Sequence, residues 1–193
     1  HREDRRQRKK WIRESIKTVY PRDEISDHAI VTMKTNKKDI SLQVLTSADL
    51  VIDWGNGKFS TIIATNGFGH HTYSYPNANT RTIRFYGPAN KLKVLRCTGN
   101  ELVELDVSKN THLEVLYCHT NWLVELDVSN NTSFGSLYFS NNLIRELNLS
   151  RNNSLAVMEC YNNNIGKLDL SHTIMQSLKC YNNPIIQDRA AMI

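Results

Sequence analysis

The sequence predicts a mainly β chain: a small antiparallel β-sandwich followed by a short parallel solenoid of about five coils. Three observations predict it. Residues 92 to 185 repeat at a step of about 21 residues, a period that belongs to stacked coils, each too small to bury its own core. Residues 30 to 86 instead hold six short apolar and β-branched runs parted by turn residues, the pattern of a small all-β domain. A repeat this short also leaves too few residues for a helix on the return side of each coil.

Along the chain, the first element is a basic helical segment at residues 1 to 27. Residues 1 to 17 carry eight basic groups against Glu3, Asp4 and Glu14, which accounts for the whole net charge of +5. The remainder, with 16 basic and 16 acidic residues, is neutral. Trp11, Ile12, Ile16 and Val19 form one apolar stripe, so a solvated helix docked on its neighbour is the expectation, and nucleic acid is not an expected partner. No stretch approaches the roughly 20 apolar residues of a membrane helix, and nothing at the start reads as a signal-peptide core.

The sandwich is expected at residues 28 to 88. Its strands are read at Ile30–Met33, Leu42–Leu45, Leu50–Trp54, Thr61–Ile63, His71–Tyr73 and Thr82–Phe85, with a tight turn at Asn56-Gly57. Trp54 is expected to anchor the core. Asp53-Trp54-Gly55-Asn56-Gly57 lacks the alternating oxygen ligands and closing Glu of a calcium loop, so it reads as a turn. His70 and His71 read as strand or loop histidines, and no metal or cofactor is expected.

The repeats are expected at residues 89 to 193. Cys97, Cys118 and Cys160 mark the step, Phe139 fills the skipped slot and Cys180 follows 20 residues after Cys160. Leu95, Leu116, Leu137, Met158 and Leu178 keep the same step, as do Asn100, Asn121, Asn142, Asn163 and Asn183, and then Leu102, Leu123, Ile144, Ile165 and Ile185. Their order is the L-x-x-L-x-L-x-x-N/C-x-L pattern of a leucine-rich repeat. Leu95 and Cys97 point inward from a short strand while Arg96 and Thr98 point out. At the ordinary strand spacing, five coils make a strip of about 20 to 25 Å. The asparagines form a ladder serving backbone groups at the turn after each strand. The Leu-Asp-Val-Ser phrases predict short strands or extended turns on the return side.

Column spacing does not converge four thiols on one point as zinc requires, and in-register neighbours direct their Cβ atoms alike, which disfavours disulfides. The cysteines are expected as small buried hydrophobes. No G-x-S-x-G, H-E-x-x-H, phosphate loop or EF-hand spacing occurs, so no catalytic residue is proposed. Only eight residues follow Ile185, which predicts a thin C-terminal cap and hence a longer native chain or end-to-end self-association.

At residues 92 to 185, Leu-Asp-Val-Ser, Asn-Thr and Leu-Tyr-Cys at 21-residue spacing resemble the cysteine-ladder repeats of internalin J-like bacterial surface proteins, and repeat proteins of gut Bacteroidetes. In the first half, Val51-Ile52-Asp53-Trp54-Gly55-Asn56-Gly57 and His71-Thr72-Tyr73-Ser74-Tyr75 resemble the W-G-D-G and H-T-Y signatures of PKD-like domains, with Asn56 in place of the usual Asp. The resemblance implies a secreted or cell-surface protein that binds host or environmental partners.

Function is therefore expected on the outward strand positions: Arg96, Tyr117, His119, Tyr138, Glu159, Tyr161, Lys179 and Tyr181, with Ser140, Val94 and their neighbours completing the face. Tyrosine offers large contact area at low entropy cost and still hydrogen-bonds. A protein partner, of host origin on the resemblance, is the first expectation. A glycan stacked on Tyr117 and Tyr138 is the second, and a plain structural spacer the third.

Overall fold

The computed structural model describes residues 28–184. The basic segment at residues 1 to 27 and the tail from Ile185 onward, with the cap and self-association expected there, lie outside the described residues.

Six strands fold first: β1 (Val31–Thr35), β2 (Asp39–Thr46), β3 (Leu50–Asp53), β4 (Phe59–Ile62), β5 (Gly69–Ser74) and β6 (Arg81–Tyr86). They match the six predicted runs. Their alternation does the sorting, because every second side chain of a strand faces the same side: Val31, Met33 and Thr35 of β1 are buried, as are Ile40, Leu42, Val44 and Thr46 of β2. β1, β6, β3 and β4 pair antiparallel in one sheet, and β2 pairs antiparallel with β5 in the other. Between the sheets lies Trp54, fully buried, with its indole N–H donated to Ser60 Oγ at 2.8 Å. Gly55 takes φ +74° at the turn after it, where an added Cβ would sit 2.4 Å from the Thr82 carbonyl oxygen. Only glycine fits there.

A three-residue 3-10 turn, Ala89–Lys91, leads into the repeats. Their strands are β7 (Leu92–Arg96), β9 (Val115–Tyr117), β10 (Ser136–Tyr138), β11 (Val157–Glu159) and β12 (Ser177–Lys179), all parallel and in register. Five strands bound about four turns of solenoid. On the return side the first coil forms β8 (Leu102–Asp106), and the later coils run extended without strand pairing. Inside, Leu116, Leu137 and Met158 stack beside Cys118, Phe139 and Cys160, all inaccessible to solvent.

The Asn ladder is present. Asn121 Nδ2 donates to the carbonyls of Cys118 (2.9 Å) and Cys97 (3.1 Å), and its Oδ1 accepts from the amides of Asn100 and Leu102, each at 3.0 Å. Asn142 and Asn163, one and two coils further on, donate to two carbonyls in the same way and accept from a single amide each, Leu123 at 3.0 Å and Ile144 at 3.1 Å, and Asn183 closes the series. A second buried column, Asn110, Asn131 and Asn152, joins the return-side turns. It follows the same step; the sequence shows its Asn-Thr phrases at Asn110 and Asn131 as part of the repeat, but not their role as a second buried ladder.

The sandwich and the solenoid share both sheets. β2 pairs antiparallel with β7, placing Gln43 opposite Arg96, and β1 pairs antiparallel with β8, placing Met33 opposite Leu105. Asn100, with no coil before it, instead bonds the backbone of Ser41: Nδ2 to its carbonyl at 2.8 Å and Oδ1 from its amide at 3.0 Å. β1 and β2 thus take the place of a preceding coil, covering apolar side chains that the first coil would otherwise expose. One apolar core runs without a break from Ile30 to Ile165.

Candidate binding face

The outward residue at the third position of β9, β10, β11 and β12 follows from register: Tyr117 lies beside Tyr138, Tyr138 beside Glu159, and Glu159 beside Lys179. Arg96 of β7 continues this column, with Tyr117 on one side and Gln43 of β2 on the other. Parallel strands keep like positions about 4.8 Å apart, so flat side chains in one column stack. The Tyr117 and Tyr138 rings lie 4.4 Å apart and 2° from parallel. The Arg96 guanidinium carbon sits 4.5 Å over the Tyr117 ring and also 4.5 Å from the centroid of Phe68.

Beyond Tyr138 the column changes to charge, with Lys179 Nζ 2.7 Å from Glu159 Oε1. Lys93 and Glu114 make a similar pair at 2.7 Å near its other end. Each pair has one well-exposed and one partly exposed partner, and such surface pairs contribute little to stability. One step along the strands, Tyr161 and Tyr181 form a second stack, 4.7 Å apart and 8° from parallel. His119 shares that second column; burial lowers its pKa and the Glu159 carboxylate partly opposes this, which favours neutral imidazole. The Tyr138 phenol is pushed up, chiefly by burial.

Of the predicted site residues, the fold therefore joins Arg96, Tyr117 and Tyr138 in one stack, pairs Glu159 with Lys179, and pairs Tyr161 with Tyr181. Two positions of the wider face are corrected. Ser140 is only 2% exposed, a short side chain at the column position that His119 and Tyr161 hold in the flanking coils. Val94 is buried too, between Leu45 of β2 and Val115 of β9. Phe68 was missed. It stands in the loop before β5, 47% exposed, and only the pairing of β5 with β2 and of β2 with β7 brings that loop to Arg96.

On the β8 side, Val103, Leu105, Val124, Leu126 and Leu147 line a concavity of about 1100 Å³ flanked by Glu104, Asp106, Glu125, Asp127 and Glu146. Asp127 is held below the usual carboxylate range by the hydroxyl and backbone N–H of Ser129. Among the described residues no group of three or more His, Cys, Asp or Glu side chains is placed to hold a metal ion. His70 Nε2 faces Ser41 Oγ at 2.9 Å. Cys97, Cys118, Cys160 and Cys180 are free thiols, and burial pushes Cys97 and Cys160 up to about 12 and raises Cys118 as well. Protonated, inaccessible thiols are poor nucleophiles and poor ligands.

No protein-family model matches the chain, and no curated protein matches it. Among solved structures, one described as the functional domain of InlJ from Listeria monocytogenes, which includes a cysteine ladder, shares 33% identity with a TM-score of 0.49. That likeness covers 50% of this chain and 22% of the other, so the chain spans about a fifth of that neighbour's length. Among the described residues no helix is long and apolar enough to cross a membrane.

Proposed function

We propose that this chain is a non-catalytic binding module of a secreted or cell-surface bacterial protein, and that it holds a protein partner on the exposed strand face of its repeats. One observation carries the reading: Phe68, Arg96, Tyr117 and Tyr138 form a continuous stack across that face. Stacking fixes four large side chains before any partner arrives, so less side-chain entropy is lost on binding. Aromatic residues and arginine are also the types enriched where interfaces concentrate their energy.

The same geometry weighs against a sugar. A pyranose needs a free aromatic face, and the faces of Tyr117 are occupied by Arg96 and Tyr138. What the stack offers outward is ring edges, hydroxyls and guanidinium N–H groups, which suit the mixed surface of a polypeptide. The PKD-like character of the first half and the surface location rest on the resemblance in the sequence.

Immobilised chain should capture a saturable protein partner from an extract of host extracellular matrix, and Tyr117→Ala combined with Tyr138→Ala should release it. Glycan-array binding lost in the same double variant would overturn the protein reading in favour of the sugar. Silence in both assays would favour a spacer. Turnover of any substrate would sink the non-catalytic assignment.

A further inference from the structure

Arg96 differs from the other cations of the strand face in how it is held. Lys93 and Lys179 each pair with a glutamate one coil away, at 2.7 Å. Among the described residues no carboxylate pairs with Arg96: its one polar contact is a long 3.4 Å approach of Nη1 to Gln43 Oε1, and its Nε is buried without a hydrogen-bond partner. Its guanidinium carbon meanwhile lies over the rings of both Phe68 and Tyr117, 4.5 Å from each centroid. A guanidinium held between two rings keeps its charge and its planar set of N–H groups, and the rings restrict where it can move. These are the requirements for a bidentate hydrogen bond to a carboxylate, the geometry for which arginine is suited and lysine is not.

We propose that the Phe68–Arg96–Tyr117 clamp is a carboxylate subsite, which takes an acidic side chain of a partner polypeptide. This deepens the reading of the strand face as a protein-binding surface and rests on it. The clamp gives that surface a polarity. A carboxylate seats at Arg96, and the partner chain continues over Tyr117 and Tyr138 toward Lys179. Phe68 belongs to the sandwich half, so the subsite exists only where the two halves share a sheet, and isolated repeats would lack one wall of it.

The test uses the full chain, labelled with ¹⁵N, and acetylated, amidated tetraglutamate against tetraglutamine. Tetraglutamate should shift the Arg96 Nε–H and Tyr117 amide signals saturably, and tetraglutamine should leave them in place. Arg96→Lys, which keeps the charge, should abolish the saturable shift at Tyr117. Phe68→Ala should weaken it by about 2- to 5-fold, the worth of one exposed cation–π contact. Equal responses to both peptides, a shift confined to Lys93 or Lys179, or full binding by Arg96→Lys would each overturn the subsite. Unchanged amide spectra far from Arg96 confirm that each variant is folded. Protein capture that depends on Tyr117 and Tyr138 but not on Arg96 would overturn the subsite and leave the binding face standing. A tetraglutamate response without protein capture would do the reverse.

Discussion

Replacing Asn121 with alanine removes one rung of the ladder, and the cost can be worked from its partners. The side chain is 4% exposed, and its Oδ1 accepts from the amides of Asn100 and Leu102 at 3.0 Å each. Alanine leaves both buried N–H groups without that acceptor, at about 1–3 kcal/mol each, or about 2–6 kcal/mol together. The carbonyls of Cys97 and Cys118 also lose a donor. Against a total stability of about 5–15 kcal/mol, this is a large fraction. Asn183 supplies the internal comparison: it is half-buried and, among the described residues, its Oδ1 accepts from Ile165 alone, at 3.0 Å. Asn183→Ala should therefore cost about half as much, roughly 1–3 kcal/mol. Urea unfolding followed by far-UV circular dichroism reads both. A loss below about 1 kcal/mol for Asn121→Ala, or a greater loss for Asn183→Ala, would refute the reasoning that the ladder carries buried backbone groups.

Further outcomes follow from other columns. Thr120 has φ +59°, a conformation costly for a β-branched residue, where the equivalent positions hold Gly99, Asn141, Asn162 and Asn182. Thr120→Asn should raise stability by about 0.5–1 kcal/mol in the same urea assay, by relieving strain and extending the Asn141–Asn162–Asn182 side-chain chain; a destabilised variant would count against the strain. Ellman's reagent should label Cys180 rapidly in the native state and Cys97, Cys118 and Cys160 only after denaturation, since the last three are buried; four equal rates would contradict the packing. Cys97 and Cys160 are pushed up to about 12 in the folded chain from an ordinary 9.0. Tyr75 and Tyr86 rise to about 12 from 10.0. The unfolded chain therefore releases these protons first, so their contribution is whole below about pH 9 and is lost as pH rises toward 12. Melting temperature should fall steadily from pH 9 to 11, and a flat profile would show that these groups titrate freely in the fold.

Much of this architecture is legible in the residues. Leu116, Leu137 and Met158 alternate with outward neighbours, and Asn121, Asn142 and Asn163 recur at one step, so a single coil with its strand, turn and inward cysteine can be written out from its own 21 residues. Six strand runs are likewise visible from Val31 to Tyr86. The reading failed where a residue's surroundings come from another part of the chain. Ser140 has the parity of an outward residue, yet it is buried between coils that carry larger residues, His119 and Tyr161, at the same position. Phe68 sits in a loop whose sequence says nothing of Arg96.

The sequence by itself determined the repeat, the register of like positions and the stacking that follows from it, because in-register parallel strands convert a period into a column. Only the tertiary structure decided that the sandwich and the solenoid share two sheets, that Asn100 finds Ser41 where the other rungs find a coil, and that Phe68 closes over Arg96. Those contacts join residues between 28 and 74 positions apart. No local pattern encodes them; they arise because the open end of a stacked core must be covered, and β1 and β2 are what the chain has folded beside it.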